Sequence, residues 1–229
     1  MPVLYIGNKN YSSWSMRAWV LMRQAGIAFE ERMLRFDGFG PDSRFHAAVR
    51  AVNPAGKVPV LQLDDGPAVW DTLAIAETLA ERFPDLRLWT ADASRRARAR
   101  SLCAEMHAGF QALRSHCPMN IDADLRAVGA RLWQEHPALR NDLARLEQAW
   151  TQPLQAHGGP MLFGDFGIAD AFFAPVCMRI RTYGLPLASP AAAAYADRVA
   201  ALPAVREWMD GARAERDFRP SEEPYRTAP

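Results

Sequence analysis

Apolar and polar positions along this chain follow two styles that change near Pro84. Before it, short apolar runs alternate with segments of helical spacing. Val3-Leu4-Tyr5-Ile6 is a β-rich run of the kind a buried strand shows, and the polar stretch Gly7 to Tyr11 predicts a loop. From about Ser13 to Gln24 good helix formers continue without Gly or Pro, and Gly26 stands where a left-handed residue would end the helix. Phe29 to Leu34 predicts a second strand with imperfect alternation, and Ser43 to Val52 a short helix stopped by Asn53-Pro54-Ala55-Gly56. Val58 to Leu63, Asp64 to Pro67 and Ala68 to Trp70 then read as strand, turn and strand. Asp71 and Thr72 are good caps for a helix whose apolar positions Leu73, Ala76, Leu79, Ala80 and Phe83 keep helical spacing. The order β-α-β-α-β-β-α predicts a small mixed sheet with helices on both faces.

After Pro84 no strand pattern returns. The basic, alanine-rich stretch Ala93 to Arg100 opens a long helical pattern carrying Leu102, Met106, Phe110 and Leu113 on one face. Leu139, Leu143, Leu146 and Trp150 form another stripe, Ile168 to Tyr183 another, and Ala191 to Leu202 and Ala204 to Arg213 predict the closing helices. The expected fold is therefore α/β plus all-α: residues 1–84 as one domain, 85–92 as a linker and 93–229 as a helical domain. The tail from Arg219, with its three prolines, is expected to be loose.

Composition narrows the function classes. With 229 residues, 49% of them hydrophobic and 23% charged, the chain suits one large or two modest domains with buried cores. Lys and Arg number 27 against 26 Asp and Glu, so no excess field draws nucleic acid or an anionic membrane. No run approaches the roughly 20 apolar residues of a spanning helix, and the opening Met-Pro-Val-Leu-Tyr-Ile has no signal-peptide pattern, so a cytoplasmic protein is expected. Cys103, Cys117 and Cys177 are far apart and read as buried thiols, and the five histidines lack metal-ligand spacing, so no metal is expected.

Three local features carry candidate chemistry. In Tyr11-Ser12-Ser13-Trp14-Ser15-Met16-Arg17, hydroxyl residues stand where a loop enters a helix, and a helix N-terminus with hydroxyls aimed at one spot can hold a thiolate. In Gly56-Lys57-Val58-Pro59-Val60 a proline opens an apolar strand; a cis bond there would turn the backbone of Val58 toward an extended, peptide-like ligand. In Trp70-Asp71-Thr72 a carboxylate and a hydroxyl again meet a helix start, suiting a ligand with both an amino group and a carboxylate. Taken singly, each has a plainer reading: Ser12 or Ser13, Asp71 and Thr72 as caps, Pro59 as a trans proline starting an edge strand.

Together the motifs resemble those of the glutathione S-transferase superfamily. Ser12-Ser13-Trp14-Ser15-Met16-Arg17 looks like the active-site segment of serine-type members, particularly the zeta class and its bacterial relatives. Asn53 to Leu61 resembles the superfamily's cis-proline strand, Asp71-Thr72-Leu73-Ala74-Ile75 its γ-glutamyl-binding pair, and Gly164 to Asp170 its helix-capping segment ending in a buried Asp. The resemblance implies a thioredoxin-like N-terminal domain, an all-helical C-terminal domain and a homodimer. It further implies glutathione as co-substrate, held by Ser12, Ser13, Trp14, Lys57, Val58, Pro59, Asp71 and Thr72, with its thiolate attacking a small hydrophobic electrophile. Ser12 and Ser13 both fit the hydroxyl that donates to the thiolate. His107, with Met106 and Phe110, lies on a helix that lines the electrophile pocket in this family, although a surface or core histidine is the plainer reading.

Two departures stand out. Trp14 replaces a Cys associated with the zeta class's maleylacetoacetate isomerase chemistry, which favours conjugation over isomerisation. Gly167 replaces a capping Ser or Thr, at a cost of a few tenths of a kcal/mol. The alternatives to a transferase are a glutathione-dependent isomerase of the maleylacetoacetate type and a non-catalytic binding module of the same fold.

Overall fold

Leu4 and Ile6 are fully buried, and the strand that carries them, β1 (Val3–Ile6), forms the middle of the sheet. In the computed structural model, which describes residues 1–228, β1 is followed by α1 (Ser13–Gln24), β2 (Glu30–Met33), α2 (Arg44–Arg50), β3 (Val60–Gln62), β4 (Ala68–Val69) and α3 (Thr72–Arg82). The strand order is β2-β1-β3-β4, with β2 parallel to β1 and the other pairings antiparallel. The imperfect alternation of the second strand has a simple cause. It is an edge strand, and Glu30, Glu31 and Arg32 face water.

Helix α1 departs from the amphipathic norm. Met16, Arg17, Ala18, Trp19, Val20, Leu21 and Met22 are all buried, because α1 lies between the sheet and a helix of the second domain, α8 (Ile168–Tyr183). Helix α8 is likewise buried along nearly its whole length. The thioredoxin-like sheet domain and the helical domain thus share one continuous core through α1 and α8.

The rest of the helical domain consists of α4 (Ala93–Ala108), α5 (Gln111–His116), α6 (Arg126–Glu135), α7 (Pro137–His157), α9 (Pro190–Ala201) and α10 (Pro203–Glu215). The long stripe expected from Ala93 to Leu113 is two helices. It breaks where Gly109 ends α4 and Phe110 adopts a left-handed φ of 59°. Helix α6 has no counterpart in the sequence reading, since its exposed face is polar and its Gly129 weakens the pattern. Gly129 is required there because a Cβ would overlap the Tyr183 carbonyl of α8.

Asp170, at the start of α8, is fully buried and gathers three donors. Its Oδ2 accepts from the Gly167 N–H at 3.0 Å, and its Oδ1 from the Leu162 N–H at 3.1 Å and the Tyr195 hydroxyl at 2.9 Å. Burial outweighs these contacts and pushes its carboxyl up to about 6. Gly167 has a steric reason as well, because a Cβ there would sit 2.9 Å from the Leu88 carbonyl, which accepts from the Ile168 N–H.

The tail from Arg219 is not loose. After a turn at Pro220–Glu222, Glu223 is 4% exposed and accepts hydrogen bonds from Tyr11 at 2.8 Å and Asn120 at 2.7 Å, while Arg226 pairs with it. Prolines fix the path of this segment, and buried polar contacts hold it. Replacing Asp170→Asn leaves an amide NH2 facing backbone donors. The expected loss is about 3 kcal/mol, or roughly 6–12 °C in Tm, read by thermal denaturation.

Candidate functional site

A cavity of about 480 Å³ opens where the sheet domain meets the helical domain, and the three sequence features converge on it. Ser12, Ser13 and Trp14 reach it from the start of α1, Lys57, Val58 and Pro59 from the approach to β3, and Asp71 and Thr72 from the start of α3. The Val58–Pro59 bond is cis, as is Trp70–Asp71. The turn before Pro59 is fixed by Asn53, which is fully buried. Its side chain donates to the Lys57 carbonyl at 2.7 Å and accepts from the Ala55 N–H at 2.9 Å.

The two candidate serines are held differently. Ser12 caps α1 and its hydroxyl donates to Ser15 Oγ at 2.7 Å, which itself accepts from the Gly7 N–H at 3.0 Å. Ser13, in the first turn of α1, accepts from Arg179 Nη2 at 3.2 Å. A hydroxyl that accepts from a guanidinium keeps its own proton free to donate. Thr72 Oγ1, by contrast, is buried without a hydrogen-bond partner among the described residues.

Trp14 organises the far wall. The Arg17 guanidinium lies 4.3 Å from its ring centroid, Arg114 5.1 Å, and His107 packs edge-on at 4.9 Å. Arg179 completes a group of three arginines that make no salt bridge to a carboxylate among the described residues. Burial pushes Arg17 down to about 9 and Arg179 to about 10, with the neighbouring guanidinium charges adding to the shift, and burial lowers Arg114 as well. At neutral pH all three still carry charge. Asp71 and Asp142 offset part of the charge on Arg17 and Arg114, and the two guanidinium groups that line the cavity, Arg114 and Arg179, favour an anion in this partly desolvated wall.

His107 Nε2 lies 3.1 Å from Asp71 Oδ2, joining the two domains across the cavity. Burial lowers the imidazole's pKa, Asp71 raises it, and Arg17 and Arg114 lower it further. The neutral ring therefore donates Nε2–H to Asp71 at neutral pH.

Met106 and Phe110 do not join His107. Both are buried in the core, at 2% and 6% exposure, because the register of α4 presents His107 to the cavity and the chain turns at Gly109 and Phe110. In their place the wall holds Arg114, Met119 and Arg179, with Phe36, Phe39 and Phe45 on the sheet-domain side. The sequence did carry a signal for Arg179: it is a charge inside the otherwise apolar stretch Phe172 to Ile180. The three phenylalanines lie around a short helix whose orientation the pattern does not fix.

The family model for the glutathione S-transferase N-terminal domain matches residues 11–82, and that for the C-terminal domain matches residues 100–211. Over 211 residues the chain is 31% identical to the maleylacetoacetate isomerase of Pseudomonas aeruginosa, covering 89% of this chain and 93% of that protein. It is 29% identical over 181 residues to glutathione S-transferase 1 of Dianthus caryophyllus, covering 77% of each. A solved glutathione transferase homolog from Burkholderia gl BGR1 with bound glutathione is similar at a TM-score of 0.68 and 26% identity, covering 93% of this chain and 98% of that one.

The balance around His107 generates a prediction. Its imidazole should titrate below 6.5 in an NMR pH titration, because burial outweighs the pull of Asp71. Asp71→Asn removes the acidic neighbour and should move the midpoint lower still. A wild-type midpoint above 6.5 would show that Asp71 dominates instead.

Proposed function

The chain belongs to the glutathione S-transferase family, and we propose that it binds glutathione in this cavity and adds the bound thiolate reversibly to small unsaturated acids of the maleyl type. The observation that carries this reading is the arginine wall. Arg114 and Arg179 line the cavity beside Trp14 and Ser13, Arg17 is buried against Trp14, and none of the three forms a salt bridge among the described residues, a setting suited to an acidic co-substrate. Glutathione would lie along Val58 with its amino group toward Asp71, its γ-glutamyl carboxylate toward Thr72 and the start of α3, and its thiol at Ser13. Lys57 would meet its remaining carboxylate.

The chemistry follows from a stabilised thiolate. Ser13 donates a hydrogen bond to the sulfur while Arg179 holds the serine oxygen, and the positive end of α1 lowers the thiol pKa from its ordinary value of about 8.5. The sulfur lone pair attacks one carbon of the cis double bond, and the π electrons move onto the adjacent carbonyl as an enolate. The resulting single bond rotates. Collapse of the enolate re-forms the double bond in the trans geometry and expels the thiolate, so glutathione returns unchanged. The arginines favour the enolate because negative charge develops there as the sulfur adds.

Trp14 favours a second reading, in which the same thiolate conjugates electrophiles that carry a leaving group, since this position lacks the Cys of the zeta segment. One assay separates the two. Conversion of a maleyl keto acid to its trans isomer without consumption of glutathione supports isomerisation, whereas conjugation of an aryl halide without isomerisation supports transfer; the absence of both refutes the thiolate mechanism. In whichever reaction proceeds, Ser13→Ala should lower kcat/KM by about 10- to 100-fold, the value of a hydrogen bond to a charged group. Ser12→Ala should instead lower stability by about 1 kcal/mol with a smaller kinetic effect, because its hydroxyl is committed to the cap.

A further inference from the structure

The loop that delivers the serines to α1 takes its position from distant segments of the chain. Asn8, Lys9, Asn10 and Tyr11 precede Ser12, and each is bonded to the helical domain or to the segment that follows α10. Asn8 is fully buried and donates to Asp217 at 2.9 Å, and the Lys9 N–H donates to Glu215 at 2.6 Å. Asn10 donates to the Asn120 side chain at 3.0 Å and accepts from the Ile121 and Asp122 N–H groups at 2.8 and 2.9 Å. The Tyr11 hydroxyl donates to Glu223 at 2.8 Å and accepts from the Arg219 N–H at 3.2 Å. A loop built of polar residues has little apolar surface to hold it, so these bonds fix its path.

Glu223 is where several of these bonds meet. Its carboxylate is buried; one oxygen accepts from Tyr11 and the other from Asn120 at 2.7 Å, and Arg226 donates to both. Asn120 in turn holds Asn10, so Glu223 reaches the loop by two routes. Burial and the bond to Glu223 push the Tyr11 hydroxyl up to about 12, so Tyr11 keeps the proton it donates. Tyr11 also lines the cavity, and Ser12, the cap of α1, and Ser13 follow it directly. The family model for the C-terminal domain ends at residue 211, so Glu223 lies beyond the matched segment.

We propose that Glu223 is a positioning residue for the thiolate site, acting through Tyr11 to hold Ser13 at the glutathione sulfur. The inference rests on the reading of the cavity as a glutathione site. Tyr11 and Asn120 both present donors, and a carboxylate meets them with two acceptors at once. An amide in its place offers one acceptor and turns a donor toward a donor. Once Tyr11 is released, the first turn of α1 gains freedom on the side that Arg179 does not hold. A hydrogen bond weakens steeply with misalignment, so the bond from Ser13 to the sulfur is the one that suffers.

The test is the ionisation midpoint of bound glutathione, read from the ultraviolet absorbance of the thiolate across pH in the full-length protein. The charged groups that line the cavity, Lys57, Asp71, His107, Arg114, Arg179 and Glu222, are the same in every variant. Glu223→Gln and Tyr11→Phe should each raise the midpoint by about one pH unit, a tenfold fall in thiolate below it. The sign discriminates: removing the Glu223 carboxylate would by charge alone favour the thiolate and lower the midpoint, whereas lost positioning raises it. In a Ser13→Ala background neither substitution should raise it further, because the serine through which they act is gone. Thermal melts check folding, and Tyr11→Phe, which deletes one oxygen, decides the matter if Glu223→Gln does not fold. A midpoint that moves by less than about 0.3 of a unit or falls in either folded variant, or an equal rise without Ser13, overturns the proposal. A wild type that binds no glutathione, or leaves its thiol at the ordinary value, refutes the thiolate reading and this inference with it. A lowered wild-type midpoint that the variants do not move removes the role of Glu223 alone.

Discussion

The packing of α1 against α8 is the constraint on which the rest of the structure depends. Helix α1 is buried against the sheet on one side and α8 on the other, so its position is fixed by both domains at once. Its first turn nevertheless opens into the cavity and presents Ser13 and Trp14 there. A helix end held from both sides loses little further freedom when a ligand binds, which is the physical content of preorganisation. The same packing brings Arg179 of α8 within hydrogen-bond distance of Ser13.

That contact shows how the fold uses a costly arrangement. Buried arginines without carboxylate partners are destabilising, and neighbouring positive charges add to the cost. Aromatic faces offset part of it: Arg17 stacks on both Trp14 and Phe172, and Arg114 approaches Trp14 while donating to the Gly109 carbonyl. Backbone carbonyls supply the remaining acceptors for Arg114 and Arg179, including those of Met106 and Cys117. The guanidinium groups are held in place without a salt bridge to any carboxylate among the described residues.

The sheet domain was the more legible part of the sequence because its signals are local. Pro84 marks the change of style, Ser12 and Asp71 cap the helices where they were expected, and β3 begins just after Pro59. The helical domain was less legible because its boundaries depend on contacts between distant segments. Gly129 makes sense only beside the Tyr183 carbonyl, and the break at Gly109 and Phe110 interrupts a stripe that spacing alone would continue. The same limit applied to the site. Motif residues at helix starts could be found from their neighbours in sequence, whereas Arg114, Arg179 and Glu222 come together through tertiary folding. The proline-rich tail misled for a related reason: composition reports the freedom of an isolated segment, and Glu223 finds its partners 103 residues away at Asn120 and 212 away at Tyr11.

The contact between His107 and Asp71 makes the two halves of the cavity thermodynamically linked. Asp71 is the acidic group that sustains the proton affinity of His107 against burial and two arginines. A ligand ammonium group that takes over Asp71 weakens that support, so occupancy on the sheet-domain side changes the protonation of a residue on the helical side. By reciprocity, the protonation state of His107 changes the affinity for that ligand by the same factor. Ligand binding is then accompanied by proton release near the histidine's titration range, and its calorimetric heat varies with the ionisation enthalpy of the buffer.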